Sequence, residues 1–591
     1  MKAFTEPLLS LAGFEEMTKT AEKSSGLISV TGCIDAQKSQ MIYAFGGHSK
    51  HKLIVTFGEQ KAKELYDEYS FFDKEVVYYP SKDVLFYQSD IRGNLLTAER
   101  IRALKAIREQ ERVTLVTTFD ALMNTMAPIE KMWENVLTLE QGQLLDLKEI
   151  QAALIRMGYE KEYQVQTMGQ FSVRGGILDV FPLTEENPIR IELWGDEIDT
   201  IRYFDCESQK SIENIDRVSI YPAAELVLSD EEKAGGIDKL KAEAKRVSDK
   251  LRKQMKTEEA HRVSVMADEL TEEWGELSMY AGMDAFLSYF FDERVGILDY
   301  FNPSDSLIFF DELTRCAEQG KLTETEFSES MKQRLAMGYI LPGQMNGLFT
   351  EKEIVAKLGK YSCIALAALD NKANGLHQLG SYGIHCQSVS PYNNSFELLI
   401  KDLKRYKKNG YRVILLSGSR TRAKRLSEDI TDQGITCFYT ENYDHELSEG
   451  QIMVCYGKVR RGFEYPILKF AVITESDIFG AQQKKKKRHR TYEGEKIQSF
   501  TDLSVGDYVV HENHGLGIYR GIEKLEVDKK VKDYIKIEYQ GGSNLYILAT
   551  QLDMIQKYAG KDAKKPKLNK LGGQEWTRTK NRVRGAVKQI A

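Results

Sequence analysis

The chain has 591 residues, more than one hydrophobic core can serve, so it must fold into several domains. Its formal net charge of −6 excludes a protein that is basic overall, although local basic segments remain. No apolar run is long enough to span a membrane, and the seven cysteines show no CxxC spacing, which predicts a cytoplasmic protein without a disulfide framework or zinc site.

Residues 1–130 alternate between helical and extended patterns. A helical lead-in ends near residue 20, and a short apolar strand at 27–30 then runs into a loop. Further buried-strand patterns follow at 52–57, 76–79 and 113–118, each next to a helical segment. This alternation predicts an α/β domain with a parallel sheet.

The loop at residues 32–39 reads GCIDAQKS and matches the P-loop pattern at all positions but one. Gly32, Lys38 and Ser39 are in place, whereas Gln37 replaces the second glycine. Because that loop must turn tightly and aim bare N–H groups at phosphate, we expect the Gln37 side chain to lie where a phosphate would. Asp35 adds a negative charge beside the same position. The loop therefore predicts a degenerate nucleotide motif, with residual nucleotide binding and a coincidental match as the alternatives.

Residues 131–222 have a different character and predict a small α+β module inserted into the first domain. A helical pattern at 145–158 is followed by segments of alternating polarity, which are residues 164–170, 171–182, 188–205 and 217–222.

Residues 223–350 are expected to complete the first domain after a charged, helical stretch at 231–285. The segment SLIFFDE (306–312) is an apolar strand that ends in Asp311 and Glu312. In working nucleotide sites an Asp at this position holds Mg²⁺ and a Glu polarises water. We expect this strand and the P-loop-like strand to belong to one sheet that the inserted module interrupts.

Residues 351–480 read as a further α/β domain of unknown role. Strands are predicted at 363–370, 412–419, 452–457 and 470–480, and helices at 396–409 and 420–433.

A basic linker at 481–498 follows. An exposed linker is the simpler interpretation, and a contact with the DNA backbone is the sharper one, since clustered cations bind phosphate without reading sequence. The candidate DNA contacts are Lys484, Lys485, Lys486, Lys487, Arg488 and Arg490.

Residues 499–562 predict a small twisted barrel of five short strands. His511 and His514 lie three residues apart, but nothing nearby completes a ligand set, so no metal site is predicted. Residues 563–591 begin a helix and stop within it, which indicates a piece of a longer protein.

Two long motifs carry a resemblance to a known family. FSVRGGILDVFP (171–182) with PIRIELWGDEIDTIRYFD (188–205) resembles the UvrA-binding module that UvrB shares with bacterial transcription-repair coupling factors (Mfd). The segments LSVGDYVVH, HGLGIYRGI, DYIKIEY and QLDMIQKY, within 503–558, are similar to the RNA-polymerase-interacting domain of those factors, a Tudor-like barrel of the CarD type. KLGGQEWTRTK (570–580) resembles the helix that leads into their motor. The chain therefore resembles the N-terminal half of a coupling factor, without its motor lobes.

The resemblance implies an adaptor in transcription-coupled DNA repair. This half would bind stalled RNA polymerase through the β subunit and recruit UvrA for nucleotide excision repair. Residues 1–130 and 223–350 would form a degenerate RecA-like helicase lobe without ATPase activity. ATP, Mg²⁺ and most DNA contact would belong to the absent motor, and we expect no cofactor here. ATP hydrolysis of this kind needs two lobes, and the sequence shows one. We expect a cytoplasmic monomer.

For the inserted module, the resemblance implies that Arg174, Arg190 and Trp194 form the UvrA-binding surface. Arg190, Glu192 and Trp194 alternate along one strand, so Arg190 and Trp194 should share a face. Arginine and tryptophan are frequent interface anchors. The simpler alternative is an ordinary strand with a pair between Arg190 and Glu192.

For the C-terminal module, the resemblance implies contact with the polymerase β subunit, which we expect to add to a sheet edge. Leu525 is the expected anchor, because it is a leucine in a charged segment. Ile522 and Tyr519 are weaker candidates, and a core position fits either equally well.

Two other functions remain open at this stage. One is an active UvrB-like DNA helicase, which would require a glycine at position 37 and a second lobe. The other is a nucleic-acid-binding protein that works through residues 484–490.

Overall fold

The structure, a computed structural model, describes most of the chain. The described residues are 1–82, 94–206, 208–276, 283–369, 375–480, 494–496, 503–511, 515–527, 530–548, 555–558, 566 and 568–570. Within these ranges, no helix is both long and apolar enough to cross a lipid bilayer.

The N-terminal part of the chain alternates helices and strands as predicted. Its elements are α1 (Lys2–Leu9), α2 (Phe14–Lys23), β1 (Gly26–Thr31), α3 (Asp35–Phe45), a 3-10 turn (Gly46–His48), β2 (His51–Thr56), α4 (Glu59–Tyr69), β3 (Val76–Tyr79), α5 (Asn94–Glu109), β4 (Val113–Thr118), α6 (Phe119–Met123) and α7 (Ile129–Glu134). Strands β1, β2 and β4 are buried along nearly their whole length, which is typical of a parallel sheet covered on both faces.

The inserted module follows α7. Its elements are β5 (Leu137–Glu140), α8 (Leu147–Arg156), β6 (Glu160–Lys161), β7 (Gln170–Arg174), β8 (Ile177–Val180), β9 (Ile189–Trp194), β10 (Glu197–Phe204), β11 (Ser211–Ile215) and β12 (Arg217–Ile220). Six of these strands form one sheet in the order β11-β10-β9-β8-β7-β6. Apolar residues on one face, such as Leu178 and Ile191, pack with Leu154 of α8. Strands β5 and β12 pair antiparallel, with Leu137 opposite Ile220, so the module leaves and re-enters the first domain at one place.

The chain then completes the first α/β domain. The elements are α9 (Asp230–Lys253), α10 (Thr257–Glu276), a 3-10 turn (Met283–Phe286), α11 (Leu287–Phe290), a 3-10 turn (Ile297–Tyr300), β13 (Ser306–Asp311), α12 (Leu313–Ala336), a 3-10 turn (Pro342–Gly347), α13 (Glu351–Leu358), β14 (Ser362–Leu366) and β15 (Gln378–Gly383). The sheet has seven strands in the order β15-β1-β14-β13-β2-β4-β3. All neighbours run parallel, so the two motif-bearing strands do share one interrupted sheet, as predicted.

The predicted domain boundary after residue 350 is wrong. Strand β14 lies in the middle of the first sheet, where Cys363 stands opposite both Leu27 of β1 and Ile308 of β13. All of β14 is buried, as is typical of a central strand in a parallel sheet covered on both faces. A helix followed by a short apolar strand has the same pattern in either domain, and only the pairing assigns it to the first.

The second α/β domain therefore begins after β15. Its elements are β16 (Gln387–Ser388), α14 (Phe396–Lys408), β17 (Arg412–Ser417), α15 (Arg420–Asp432), β18 (Phe438–Tyr439), β19 (Ile452–Tyr456), β20 (Phe463–Tyr465), β21 (Phe470–Thr474) and α16 (Glu475–Phe479). The strand order is β16-β20-β21-β17-β19-β18, with parallel pairing from β21 to β18. The strand predicted at 470–480 ends earlier, because Thr474 caps a helix and donates to Asp477 from its N–H and hydroxyl.

The two α/β domains pack against each other. Ile414 and Leu416 of β17 belong to the same hydrophobic cluster as Ile28 and Val30 of β1. Helices α14 and α15 cover the opposite face of the second sheet. The predicted further α/β domain is therefore present, although it begins later than residue 351, and it shares a hydrophobic cluster with the first domain.

The C-terminal module is an antiparallel sheet. Its strands are β22 (Gly494–Lys496), β23 (Tyr508–His511), β24 (Gly515–Val527), β25 (Lys530–Glu538), β26 (Asn544–Leu548) and β27 (Ile555–Tyr558). Their order is β22-β27-β23-β24-β25-β26, so β22 extends the sheet into the predicted linker. Among the described residues β22 and β26 do not pair with each other, and closure into a barrel stays a prediction.

Candidate interaction surfaces and the degenerate nucleotide loop

The face of the module sheet that points away from α8 carries a row of polar side chains. Ser172, Asp179, Arg190 and Arg202 stand opposite one another on the adjacent strands β7, β8, β9 and β10. Because side chains alternate along a strand, Arg174 lies on the same face, two residues beyond Ser172. The fold therefore brings the two predicted arginines to one surface.

A buried carboxylate joins these arginines. Asp179 is 1% exposed, and its Oδ1 accepts a hydrogen bond from Nε of Arg190 at 2.7 Å. Its Oδ2 accepts from Nη2 of Arg190 at 2.9 Å and from Nη2 of Arg174 at 2.7 Å. The hydrogen bond to Asp179 raises the pKa of the Arg190 guanidinium above its usual value. The side chain of Arg190 is only 13% exposed, compared with 36% for Arg174, so Arg190 is an anchored group rather than a protruding one.

Trp194 is the exposed anchor of this face. It ends β9 opposite Glu197 and is 86% exposed, which is unusual for so large an apolar side chain. Because side chains alternate along β9, Trp194 is placed on the same face as Arg190, four residues earlier. Glu192 does not pair with Arg190 but accepts from the guanidinium of Arg202, which holds the pKa of Glu192 below its usual value. The simple pair between Arg190 and Glu192 is therefore not formed.

The two predicted nucleotide motifs meet around Lys38. Its ammonium lies 2.5 Å from Oδ1 of Asp311, 2.8 Å from Oε1 of Glu312 and 3.1 Å from Oδ1 of Asp35. The side chains of Lys38 and Asp311 are 0% and 1% exposed. Burial alone would lower the pKa of Lys38, but the charges and hydrogen bonds of Asp311 and Glu312 hold it well above its usual value. All three ammonium donors are thus used inside the protein.

The loop before Lys38 is too short to wrap a phosphate. Strand β1 ends at Thr31 and α3 begins at Asp35, so only residues 32–34 lie between them. The N–H of Gly32 donates to the carbonyl of Ala368 at 3.3 Å, and that of Cys33 donates to Ala367 at 2.9 Å.

Close packing explains the glycine at position 32. Its φ is +78°, and a Cβ there would lie 2.1 Å from the carbonyl oxygen of Ile384. The segment after β15 therefore covers the loop from outside. Together with the engaged N–H groups and the engaged ammonium of Lys38, this arrangement does not fit a nucleoside triphosphate.

Gln37 does not fill a phosphate position, and that prediction is wrong. Its side chain is fully buried in the first turn of α3, where its Oε1 accepts a hydrogen bond from the hydroxyl of Tyr465 at 3.2 Å. The same hydroxyl lies 3.3 Å from Oε1 of Gln40. Ser39 is buried as well, at 2% exposure. Position 37 is therefore a contact between the two α/β domains.

In the C-terminal module the three candidate anchors for RNA polymerase lie in different environments. Tyr519 is 0% exposed and forms the core with Ile535 and Ile537, so its prediction as a surface anchor is wrong. Ile522 packs at the margin of that core. Leu525 lies on β24, opposite Lys532 of β25. The basic residues at 484–490 lie outside the described residues.

Within the part of the chain that the structure describes, one edge of β24 carries no paired strand at Leu525. Strand β23 pairs only with the beginning of β24, from Gly515 to Ile518. The backbone of Tyr519 is bonded to residues 506 and 507. Beyond Tyr519, β24 is paired with β25 on one side, and no strand of the described part of the chain pairs with it on the other. That geometry fits the predicted addition of a partner strand.

Comparisons with known proteins identify both modules. Residues 137–226 match the model of the UvrB interaction domain, and residues 503–559 match that of the CarD-like/TRCF RID domain. The transcription-repair-coupling factor of Bacillus subtilis (strain 168) is 31% identical over 92% of this chain and 46% of its own length. Those of Staphylococcus haemolyticus and Staphylococcus aureus (strain MRSA252) are 31% and 30% identical over 95% and 98% of the chain, and 48% and 49% of their own lengths.

Along nearly its whole length the chain is similar to transcription-repair-coupling factors. It spans about half the length of the curated coupling factors that it matches. Both matched domains occur where the two long motifs of the sequence predicted them.

The sequence did not reveal the roles of two residues in the inserted module. Asp179 interrupts the apolar strand ILDV, and an acid at such a position is a usable sign of a buried partner. Gln209 also holds Arg190, since its Oε1 accepts from Nη2 at 2.8 Å. It lies in a turn, and nothing in its sequence context indicates that role.

Proposed function

We propose that this chain is the adaptor part of a transcription-coupled DNA repair factor. One surface of the inserted module binds UvrA, and the C-terminal antiparallel sheet binds the β subunit of stalled RNA polymerase. The two α/β domains link these surfaces. The match to both a UvrB interaction domain and a CarD-like/TRCF RID domain in one chain is the observation that carries the proposal.

The surface around Trp194 supports the UvrA contact. A large exposed aromatic residue next to arginines held in fixed geometry is the composition of an interface hot spot. We expect Trp194 and Arg174 to make the direct contacts, because they are the more exposed members. Arg190 contributes through the part of its guanidinium that Asp179 does not occupy.

Calorimetry with UvrA tests this surface. The double variant Arg174→Ala/Trp194→Ala should lose about 2 kcal/mol or more of binding free energy, as truncation of hot spots does. Met255→Ala is the matched control, since Met255 is 88% exposed at the turn between α9 and α10, and it should bind like the parent. Unchanged affinity in the double variant would reject the site.

The open edge of β24 supports the polymerase contact. A strand of the β subunit that adds there would use main-chain hydrogen bonds for affinity and side chains for specificity. Leu525→Arg should abolish capture of the β subunit while the protein stays folded. Leu322→Arg makes the same change at an exposed leucine of α12 and should leave capture intact. If Leu525→Arg still binds, the contact lies elsewhere.

We further propose that this chain hydrolyses no ATP. The ammonium of Lys38 and the N–H groups of Gly32 and Cys33 already have partners inside the protein, which supports a relic site. ATP, Mg²⁺ and most DNA contact would then belong to a motor region beyond this chain, in a monomeric cytoplasmic factor. Nucleotide titration and an ATPase assay on the 591-residue chain test this, and turnover would reject it.

A further inference from the structure

Arg190 is fixed from three directions within its own module. Oδ1 of Asp179 accepts a hydrogen bond from Nε of Arg190 at 2.7 Å, and Oδ2 accepts one from Nη2 at 2.9 Å. Oε1 of Gln209 accepts a second hydrogen bond from Nη2 at 2.8 Å. The ring of Phe204 lies beneath the guanidinium, 4.4 Å from its central carbon. A side chain held in this way has lost its rotational freedom before any partner arrives.

Gln209 is held in a strained conformation to reach Arg190. Its φ is +58°, a left-handed value that costs a residue other than glycine about 1 kcal/mol or more. Its own N–H donates to the carbonyl of Asp205 at 2.8 Å, and its Nε2 donates to the carbonyl of Cys206 at 2.8 Å. These bonds fix the amide so that its oxygen faces Arg190. A glycine would suit this backbone better, but it has no side-chain oxygen to offer Arg190.

The N–H groups of Arg190 that Asp179 and Gln209 do not use could bind a partner. A guanidinium has five N–H groups, and Asp179 and Gln209 use the one on Nε and the two on Nη2. The two on Nη1 form no hydrogen bond with any residue that the structure describes. Among the same residues, Arg174 and Arg190 share the single carboxylate Asp179, which leaves one positive charge without a counterpart.

We propose that Asp179 and Gln209 are positioning residues that present the Nη1 edge of Arg190 to a carboxylate of UvrA. This inference rests on the proposed function and names the chemistry of the contact. A carboxylate matches both the two N–H groups and the unmatched charge. Neighbouring Arg202 is already neutralised by Glu192 and does not compete for it.

Calorimetry with UvrA tests the two residues separately. Gln209→Leu keeps the size of the side chain and removes its oxygen, and Asp179→Asn removes the charge that orients Arg190. Each should bind UvrA about tenfold more weakly, as expected for a disturbed charge-assisted hydrogen bond. The matched control is Gln451→Leu in the second α/β domain, whose Oε1 accepts from the N–H of Ser448. It should bind normally.

A mutant cycle separates positioning from mere folding. In an Arg174→Ala/Arg190→Ala background, Asp179→Asn should change UvrA affinity less than about twofold, because it then has no arginine to orient. An equal loss in both backgrounds would show a general structural effect and overturn the proposal. If Asp179→Asn fails to fold, Gln209→Leu with and without Arg190→Ala gives the same test. If Trp194→Ala weakens binding but neither positioning variant does, the surface stands and this inference falls. If none of them does, the proposed UvrA site falls as well.

Discussion

The hydroxyl of Tyr465 donates a hydrogen bond to Oε1 of Gln37 at 3.2 Å, across the contact between the two α/β domains and across 428 residues of sequence. Gln37 is the residue that breaks the P-loop pattern. Its amide has a structural partner in the second domain, so position 37 contributes to the contact between the two domains. This hydrogen bond changes the effect that we expect when Gln37 is replaced by the glycine of the P-loop pattern.

Gln37→Gly should not create a nucleotide site. Lys38 would keep its three carboxylate partners, and the Gly32 and Cys33 N–H groups would keep theirs. The variant should instead lose about 2 kcal/mol of unfolding free energy, about half from glycine in a helix and half from the lost hydrogen bond. Urea unfolding and a nucleotide titration measure the two effects.

Tyr465→Phe is the control for that variant. It keeps the helix intact and removes only the hydroxyl that Gln37 and Gln40 share, so it should cost about 1 kcal/mol. ATP binding by Gln37→Gly would contradict the structural role given to position 37.

Lys38→Met should destabilise the protein strongly. In a working P-loop the lysine contacts nucleotide, and its loss mainly removes activity. Here its loss leaves the charge of Asp311, which is 1% exposed, without its main partner. Removing one member of such a buried pair costs about 3–5 kcal/mol. Urea unfolding measures the change.

The double variant Lys38→Met/Asp311→Asn should recover part of that loss. Asp311 would no longer be charged, although its hydrogen bond from Thr56 at 2.9 Å would be altered. A double variant that is no more stable than Lys38→Met would show that the buried charge is not the cause.

The sequence predicted the positions of the strands better than it predicted which strands pair with each other. Strands at 113–118 and 306–312 were placed within one residue, because a run of buried β-branched and aromatic residues has few other solutions. The assignment of β14 to the wrong domain had a different origin. Its pairing with β1 spans more than 300 residues of sequence, and no local pattern records it.

For the candidate sites, the sequence predicted which residues lie together but did not predict how deeply each is buried. The family pattern pointed to Arg174, Arg190 and Trp194, and the alternation of side chains along β7 and β9 places all three on one face. Burial within that face could not be read from the sequence, because the 13% exposure of Arg190 depends on Asp179, Gln209 and Phe204. The same holds for Tyr519, whose neighbours Ile535 and Ile537 come from another strand.

Tyr519→Ala should unfold the C-terminal module rather than remove a contact. The side chain is fully buried among Ile535, Ile537 and Tyr539, and truncation of a buried aromatic residue costs about 3–5 kcal/mol. Any loss of polymerase binding should therefore coincide with a loss of thermal stability of this module. Loss of binding with unchanged stability would restore Tyr519 as a surface anchor.

Glu68 of α4 should make stability fall as the pH rises. It is 8% exposed, and burial raises its pKa to about 7 from an ordinary value of 4.5, although Arg460 and Lys61 oppose the shift. The folded state then holds more protons than the unfolded state between these two pH values, so stability is lost across that window as pH increases. Glu68→Gln should be more stable than the parent at pH 8, on the order of 2 kcal/mol, with little difference near pH 4.5.

Glu64, one turn away on α4, should show the opposite sign and provides the matched comparison. Burial alone would raise its pKa, but the hydrogen bond and charge of Arg460, at 2.7 Å, lower it below 4.5. Its contribution is therefore present above the unfolded pKa and is lost as the pH falls. Glu64→Gln should be less stable than the parent at pH 8, by up to about 1 kcal/mol because the pair is partly exposed, and equal to it in strong acid. Urea unfolding of both variants at pH 4.5, 6 and 8 measures the two trends. If Glu64→Gln and Glu68→Gln shift stability in the same direction at pH 8, the opposite pKa shifts assigned to Glu64 and Glu68 are wrong.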